Sequence, residues 1–450
     1  MSYALKIKAI YRGDGAGREL RLPAITTEAG IVISHLRYLS VNSNKSASWK
    51  DLSVYALILL IHFISANSGR FSRTVDLLRA FCTSLEEGTI HPSSFSDPSG
   101  LFWLPRSPKN SKKILYMITH YTDWLSAQSG FVIKPVNSFR KASSVEERLN
   151  WCAIHQRRNK VFLNHLRDTE QDDISAKLVR VVRSHEVPVE DVTPAVQFPE
   201  EKIYSLLSEG FIRLLPKSGV AAPDFKGRAI TLLMHYGGLR KCEVLHIYLS
   251  DIILDEVNNE AVVRVYHPRH GKAPGDSKES RREFLMAQYG LMPRTQYLKT
   301  ERLHLGWKNP LLSHKDGYFQ VNFFPSSKAH EFLENWVNYL KFQRAEPDPR
   351  YDHPYAFTNS FGRPETLKNA QKLHAAAVRR IGLVHRKEFG TSEHGHRHSY
   401  GYRLRLNGFS QIEIQKAMHH KNPFSCLVYM QPTEGEIRRR MVDVEAETML

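Results

Sequence analysis

Residues 235 to 247 read HYGGLRKCEVLHI, and this stretch decides how the second half of the chain is organised. Gly237 and Gly238 break one helix before the next one opens, which puts Arg240 at a helix start. Free backbone N–H groups and the helix dipole favour an anion at that position. Glu243 follows one turn later, where it can orient the arginine. In isolation, an arginine of this kind is more often a solvated residue on a helix surface.

A second basic stretch, HGHRHSYGYRL, covers residues 394 to 404. His394 and Arg397 are three residues apart, so they share a helix face or an adjoining turn and can grip one phosphate together. His396 and His398 alternate with His394, a pattern that also suggests a metal site. Positions i and i+2 diverge on a helix, however, and we find no carboxylate or cysteine partner for these histidines. We therefore predict no metal here.

The third stretch, residues 414 to 432, reads IQKAMHHKNPFSCLVYMQP. One helix is predicted to end near His420, and Asn422 with Pro423 is typical of the cap and first turn of another. Tyr429 then lies on that short second helix. The chain has 19 tyrosines, and a tyrosine is usually a packing residue, so only its spacing from the other stretches makes Tyr429 a candidate nucleophile.

In this order the three stretches resemble the signature boxes of the tyrosine recombinase (phage integrase) family, over roughly residues 200 to 435. The family boxes are Gly-Leu-Arg-x-x-Glu, His-x-x-Arg-His-Ser/Thr, and Leu-Gly-His followed by the nucleophilic tyrosine. The positions that match are Gly238, Leu239, Arg240 and Glu243, then His394, Arg397, His398 and Ser399, then His420 and Tyr429. The third box reads Met418-His419-His420, so a histidine replaces its usual glycine. The gaps of 23 residues from Arg397 to His420 and of nine from His420 to Tyr429 are those that the family geometry leads one to expect.

The resemblance implies a role for each matched residue. Arg240 and Arg397 hold the scissile phosphate and stabilise its transition-state charge. His394 and His420 add hydrogen bonds, and His394 is a possible proton acceptor for the Tyr429 hydroxyl. Tyr429 forms a covalent 3′-phosphotyrosyl link, which stores the energy of the broken bond, so that no ATP, metal or small-molecule cofactor is needed.

The family also uses a β-hairpin lysine, between the first two boxes, to protonate the leaving 5′ oxygen. Lys272, in HPRHGKAPG, follows a predicted strand in a Gly/Pro turn, as a hairpin lysine does. Lys308, in GWKNPLL, stands just before a short apolar run like the returning strand. The region from 268 to 305 is longer than a hairpin needs, which indicates an insertion. We favour Lys308 and keep Lys272 as the alternative.

Charge and composition are consistent with a nucleic-acid partner. The chain has 63 Lys and Arg against 46 Asp and Glu, a formal charge of +17, which is typical of proteins that bind polyanions. Its four cysteines are too far apart for a zinc knuckle or a disulfide framework, and they suit a reducing cytoplasm. The N-terminus does not resemble a secretory signal. The most apolar stretch, Leu52 to Ile64, is about 13 residues long, which is short of the roughly 20 that span a bilayer, so we interpret it as a core helix.

Periodicity predicts a mainly α fold with a small β-sheet in the second half (an α+β catalytic domain). The predicted helices cover 52–67, 74–85, 112–127, 145–166, 200–215, 225–236, 326–344, 366–382 and 398 to the end, with a strand at 261–267. The predicted domains are an N-terminal extension or arm (1–45), a helical core-binding domain (46–183), a proline-rich linker (184–200), the catalytic domain (201–435) and a C-terminal tail (436–450).

From the resemblance we expect a two-domain, C-shaped clamp on double-stranded DNA that carries specific recombination sites. Four protomers would act on two sites, and the tail would dock on a neighbouring subunit. A bacterial, nucleoid-associated enzyme without a membrane partner fits this picture. Two alternatives stay open: a type IB topoisomerase, which relaxes supercoils, and an architectural DNA-binding protein that has kept the fold and lost the chemistry.

Overall fold

The structure is a computed structural model, which describes residues 3–12, 19–128, 135–158, 169–183, 195–215, 219–275, 278–431 and 434–448. The chain divides into two compact units, Met1–Glu190 and Asp191–Leu450. Most of the predicted linker, residues 184 to 194, lies outside the described residues. The prediction of a mainly helical fold with a small sheet in the second half is confirmed, and the first unit has small sheets that were not predicted.

The first unit combines a small sheet with helices. Its elements are β1 (Ala4–Arg12), β2 (Glu19–Thr27), β3 (Gly30–Ile31), α1 (Ile33–Val41), α2 (Ala47–Ala66), α3 (Thr74–Glu87), α4 (Pro108–Ser126), β4 (Phe139–Lys141), α5 (Ser144–Arg158), α6 (Thr169–Lys177) and β5 (Leu178–Arg180). β1 and β2 pair antiparallel with Ala4 opposite Thr27. The predicted extension of α5 toward residue 166 falls on 159–168, outside the described residues.

The N-terminal 45 residues are part of the first unit's core. Ala4, Leu22 and Ile25, from β1 and β2, are buried together with Leu57 and Leu60 of α2. A strand that alternates buried and exposed residues needs a partner surface, and the sheet finds it on these helices. A separate arm is therefore the wrong interpretation of this segment.

The apolar helix α2 is longer than the 13-residue stretch that first marks it. By length and composition alone, its 20 residues from Ala47 to Ala66 could cross a membrane. In the structure Val54, Leu57, Leu60 and Phe63 belong to the core of the first unit, which agrees with the prediction of a core helix.

The second unit carries all the candidate site residues. Its regular elements are α7 (Ile203–Ser205), β6 (Ile212–Leu214), β7 (Ala221–Pro223), α8 (Phe225–His235), α9 (Lys241–Val244), β8 (Ile252–Asp255), β9 (Glu260–Tyr266), α10 (Arg281–Tyr289), β10 (Tyr318–Gln320), α11 (Lys328–Phe342), α12 (Leu367–Arg380), α13 (Glu393–Leu406), α14 (Gln411–Ala417), α15 (Leu427–Met430) and α16 (Glu434–Thr448). The three-stranded sheet has the order β10-β9-β8, with antiparallel neighbours. α8 packs against both α11 and α13, so it joins the core to the site.

Three predicted elements of this unit differ from the structure. The helix predicted for 200–215 ends at Gly210, because a hairpin of β6 and β7 follows, and a Cβ at Gly210 would lie 2.9 Å from the Ala377 carbonyl. The irregular region after β9 contains α10, whose first turn is capped by Ser280 and Glu283. The final helix begins at Glu393 rather than at residue 398 and is broken into α13 to α16.

Candidate active site

The first box lies just beyond the end of α8. Gly238 has a φ of +67°, and a Cβ at this position would lie 2.4 Å from the ring of Tyr400 on α13. Glycine alone accepts both the left-handed backbone and the close approach. The chain turns there, and Arg240 becomes the N-cap residue of α9, at the helix start that its sequence predicts.

Glu243 lies between the guanidinium groups of Arg240 and Arg397. One of its carboxylate oxygens accepts a hydrogen bond from Arg240 Nη1 at 2.6 Å. The other accepts from the Arg240 backbone N–H at 2.8 Å and lies 3.9 Å from Arg397 Nη1. Because two cationic groups share this buried carboxylate, one positive charge is left over, and the pair favours a bound anion.

Arg397, on α13, ties the first box to the third. Its Nη1 donates to the Gly238 carbonyl, and its Nη2 donates to the Met418 carbonyl at 2.6 Å. Burial and the nearby Arg240 charge lower the pKa of Arg397 to about 10, so it stays protonated at neutral pH. An arginine has five N–H donors, so the two backbone bonds leave donors free for a substrate.

Tyr429 turns its hydroxyl toward this group, although its ring is buried. The residue is only 2% exposed, and its hydroxyl lies 2.9 Å from His398 Nδ1. Burial raises the pKa of the Tyr429 hydroxyl to about 12, and the charges of Arg397 and Arg240 oppose that rise. The nucleophile predicted from spacing therefore lies within electrostatic reach of both predicted arginines.

The histidine next to Tyr429 is His398, which belongs to the second box but for which the sequence predicted no role. Burial, together with the charges of His394 and Arg397, lowers the pKa of His398 to about 3. The ring is neutral at ordinary pH and can accept a proton from Tyr429. His394, the expected acceptor, packs its ring 4.4 Å from the His398 ring instead. The spacing of four residues on one helix face was the available signal for this pair.

The two histidines of the third box have different environments. His420 Nδ1 lies 3.1 Å from the sulfur of Cys426, and the His420 ring is parallel to that of Tyr429 at 6.4 Å. His419 has a φ of +53° and stacks on Phe319 with ring centroids 3.8 Å apart. Glycine accepts this left-handed backbone without strain, and at His419 the stacking contact compensates for the strain of a non-glycine residue.

Both candidate lysines lie between β9 and β10, but their surroundings differ. The segment after Lys308 reaches the third box, because the Leu311 backbone N–H donates to the His419 carbonyl at 3.0 Å. The positive charge of Lys308 also acts on Cys242 of α9, where it opposes the rise in the pKa of the thiol that burial causes. Lys272 instead donates its backbone N–H to the Asp316 carbonyl at 2.9 Å and bridges to Ser280. These contacts favour Lys308, whose side chain is exposed.

The alternating histidines of the second box point to two different places. His398 contacts Tyr429 and His394 packs against His398, whereas His396 is buried on another face of α13. His396 Nδ1 lies 3.1 Å from His235 Nδ1, and its Nε2 lies 2.8 Å from His374 Nε2. Positions i and i+2 of the helix therefore diverge as expected, and His394, His396 and His398 do not converge on one ion.

No protein-family model matches the chain, and no curated protein matches it by sequence. Solved structures do match. The XerH site-specific recombinase bound to palindromic difH substrate, in a post-cleavage complex, is 14% identical, with 89% of this chain and 80% of that chain covered and a TM-score of 0.45. The Tn1549 transposon integrase in complex with circular intermediate DNA is 14% identical (86% and 99% covered, TM-score 0.36). The XerA recombinase is 13% identical (91% and 96% covered, TM-score 0.33).

Proposed function

We propose that this chain is a site-specific DNA recombinase of the tyrosine type, which cuts and rejoins DNA strands through a covalent 3′-phosphotyrosyl intermediate on Tyr429. The observation that carries the proposal is convergence: Arg240, Arg397 and the Tyr429 hydroxyl come from three distant stretches and interact electrostatically at one site. These residue types supply the phosphate clamp and the nucleophile that such chemistry requires.

The scissile phosphate binds at the two arginines. Glu243 neutralises only part of their charge, and the mutual repulsion of Arg240 and Arg397 is relieved when an anion binds between them. The Arg240 side chain is 23% exposed, whereas that of Arg397 is 2% exposed, so the phosphate approaches from the Arg240 side. His394 and His420 complete the donor set.

Cleavage proceeds as an exchange of one phosphate ester for another. His398 accepts the Tyr429 proton, the phenolic oxygen forms a bond to phosphorus, and the bond from phosphorus to the 5′ oxygen breaks. Lys308 donates a proton to that leaving oxygen. Religation is the reverse reaction with a new 5′ hydroxyl, so neither step consumes ATP or a redox cofactor. Because Tyr429 is 2% exposed, the segment that carries it has to open when DNA binds.

The DNA partner and the assembly belong to the same proposal. A charge of +17 supports binding to double-stranded DNA through salt-dependent phosphate contacts. Four protomers on two specific sites, in a bacterial cytoplasm at the nucleoid, are the setting for strand exchange. The apolar residues Ile437, Met441 and Val444 of α16 are exposed, which supports docking of this helix on a neighbouring subunit.

Covalent trapping on a nicked suicide substrate tests the function. The substrate carries the DNA sequences found at the two ends of the genomic segment that flanks the gene. The protein is incubated with this substrate, and the mixture is then denatured. We expect a protein–DNA adduct with the natural chain and none with Tyr429→Phe, a variant that keeps the buried ring. A second variant, Tyr402→Phe, changes a neighbouring tyrosine at 5.4 Å and should retain the adduct.

The same assay separates the alternatives. A type IB topoisomerase would form the adduct without a defined site and would relax a generic supercoiled plasmid. An architectural protein would shift the DNA in a binding assay and form no adduct at any site. Either result would overturn the proposal of site-specific recombination.

A further inference from the structure

A second cluster of chemically active side chains lies on the far side of the second box. His374 is on α12, His385 follows that helix in a loop, and Glu393 is the first residue of α13. Their ligand atoms, one from each residue, all lie within 4.8 Å of one another. His374 Nδ1 and His385 Nε2 are each 3.7 Å from Glu393 Oε1.

None of these three atoms has a hydrogen-bond partner among the described residues, although each is buried. The side chains of His374 and Glu393 are 4% and 6% exposed. Buried polar atoms in native proteins nearly always have partners, and three unpartnered ones at one point are unusual. A distance of 3.7 Å is too long for a hydrogen bond, so direct contacts within the cluster do not satisfy them.

We propose that His374, His385 and Glu393 bind a divalent transition-metal ion of the zinc type. Two imidazoles and one carboxylate form a ligand set that such ions prefer. Metal–ligand bonds of about 2.0–2.2 Å in tetrahedral geometry separate neighbouring ligand atoms by roughly 3.3–3.5 Å. The observed 3.7 Å pairs have to close by only a few tenths of an ångström, and the two ring nitrogens, which lie within 4.8 Å of each other, by up to about 1.5 Å. A water molecule takes the fourth position.

The surroundings of the ligands suit a metal better than a water molecule alone. A metal on His374 Nδ1 leaves the proton on Nε2, and His396 Nε2, at 2.8 Å, is placed to accept a hydrogen bond from it. The second oxygen of Glu393 accepts from Lys241 Nζ at 3.2 Å. In the tautomers that leave both ring nitrogens free of protons, all three atoms are acceptors; a water molecule can then donate to only two of them, whereas a cation serves all three.

The ion holds the active-site elements together and takes no part in cleavage. Glu393 opens α13, which also carries Arg397 and His398, and its partner Lys241 directly follows Arg240. Binding at this point fixes the start of α13 against α12 and the first box. The expectation that no carboxylate accompanies the histidines of the second box was wrong: Glu393 directly precedes His394 and lies with His374 and His385, two residues outside that box.

Metal titration of the full chain, without DNA, tests the proposal. Chelator-treated protein is titrated with Co²⁺, followed by visible absorption, and with Zn²⁺, followed by calorimetry and thermal melting. We expect one ion per chain, ligand-field bands of a nitrogen and oxygen site, and a Zn²⁺-dependent rise in Tm. His385→Gln, which changes the most exposed ligand, and the isosteric Glu393→Gln should each weaken binding by about 100-fold or more.

His330→Gln is the matched control, because this exposed histidine lies in the same unit and bonds to the Asn259 carbonyl. It should bind Co²⁺ and Zn²⁺ like the natural chain. The proposal is wrong if the natural chain binds no stoichiometric ion, or if His385→Gln and Glu393→Gln bind it unchanged, since a water molecule would then satisfy the cluster. Covalent trapping on DNA is a separate readout, so failure here leaves the recombinase proposal standing.

Discussion

His398 Nδ1 lies 2.9 Å from the hydroxyl oxygen of Tyr429, across 31 residues of sequence. The ring is held neutral, because burial and the neighbouring His394 and Arg397 charges lower the pKa of His398 to about 3. The neutral ring has a lone pair that can accept the phenolic proton, and the negative charge of a bound phosphate would raise its low pKa toward the range that a general base needs. We therefore propose His398, rather than His394, as the proton acceptor, with the His394 ring packed against it.

Replacing His398 with asparagine tests that assignment. Asparagine can keep a hydrogen bond near the Nδ1 position but cannot take up the proton. We expect His398→Asn to slow adduct formation by about 10²- to 10⁴-fold, the usual contribution of a general base. The measurement is single-turnover trapping on the suicide substrate, with His394→Asn as the comparison. A larger loss in His394→Asn would return the acceptor role to His394.

The proposed general acid, Lys308, is tested with a DNA substrate whose 5′ leaving group needs no proton. Lys308→Ala should reduce cleavage of an ordinary substrate, because the leaving 5′ oxygen is a poor leaving group when unprotonated. A substrate with a 5′-thio leaving group should restore the rate of Lys308→Ala. Lys272→Ala should cleave both substrates at the natural rate. If the 5′-thio substrate restores cleavage by Lys272→Ala instead, Lys272 is the general acid. If it restores cleavage by neither variant, neither lysine is the general acid.

Gly401 on α13 sets the position of the Tyr429 ring. A Cβ at Gly401 would lie 2.8 Å from Cε1 of that ring. Alanine stabilises a helix by about 1 kcal/mol relative to glycine, so Gly401→Ala should keep the fold while it displaces the nucleophile. We expect about 10²-fold slower adduct formation with unchanged DNA affinity. Gly435→Ala, in open space, is the control; equal rates for the two variants would contradict the expectation.

The left-handed backbone of His419 makes a prediction about stability. His419→Gly removes a strain of about 1–2 kcal/mol and loses a ring stack of roughly 0.5–1.5 kcal/mol, so the free energy of unfolding should change by less than about 1 kcal/mol. His419→Val keeps the strain and loses the stack, so it should destabilise the protein. Urea unfolding measures both. Equal destabilisation by the two substitutions would show that the stacking contact with Phe319 dominates.

Stability without DNA should decrease in acid because of buried neutral histidines. Burial lowers the pKa of His246, His398 and His420 to about 3 in the folded chain, against an ordinary value of 6.5. Between these values the unfolded chain binds more protons, so the free energy of unfolding falls as the pH drops from about 6.5 toward 3. Urea unfolding from pH 7 to pH 4 measures the slope.

His246→Gln should make that slope shallower, whatever its effect at pH 7, because it removes one of these titrations. His246 bonds to the Gly306 carbonyl at 3.3 Å, and the charge of Arg294 adds to the effect of burial on its pKa. A slope that is identical in the variant would mean that this histidine does not contribute to the acid sensitivity.

Much of the site could be predicted from local sequence. The structure has three features that depend only on residues within a few positions of one another. They are the glycine turn before Arg240, the placing of His394 and Arg397 on one helix, and the short helix that carries Tyr429. Helix boundaries in long periodic segments were also close, as for α11 and α12. Local backbone preference and periodicity determine such features without reference to the rest of the fold.

The sequence by itself determined the order and residue types of the three boxes, the excess positive charge and the helical character of the chain. Only the tertiary structure decided that His398 reaches Tyr429, that the Lys308 segment joins the third box, and that His374 and His385 meet Glu393. The physical reason is distance along the chain. These contacts depend on how helices pack across tens to hundreds of residues, and no local preference encodes which side chains then come face to face.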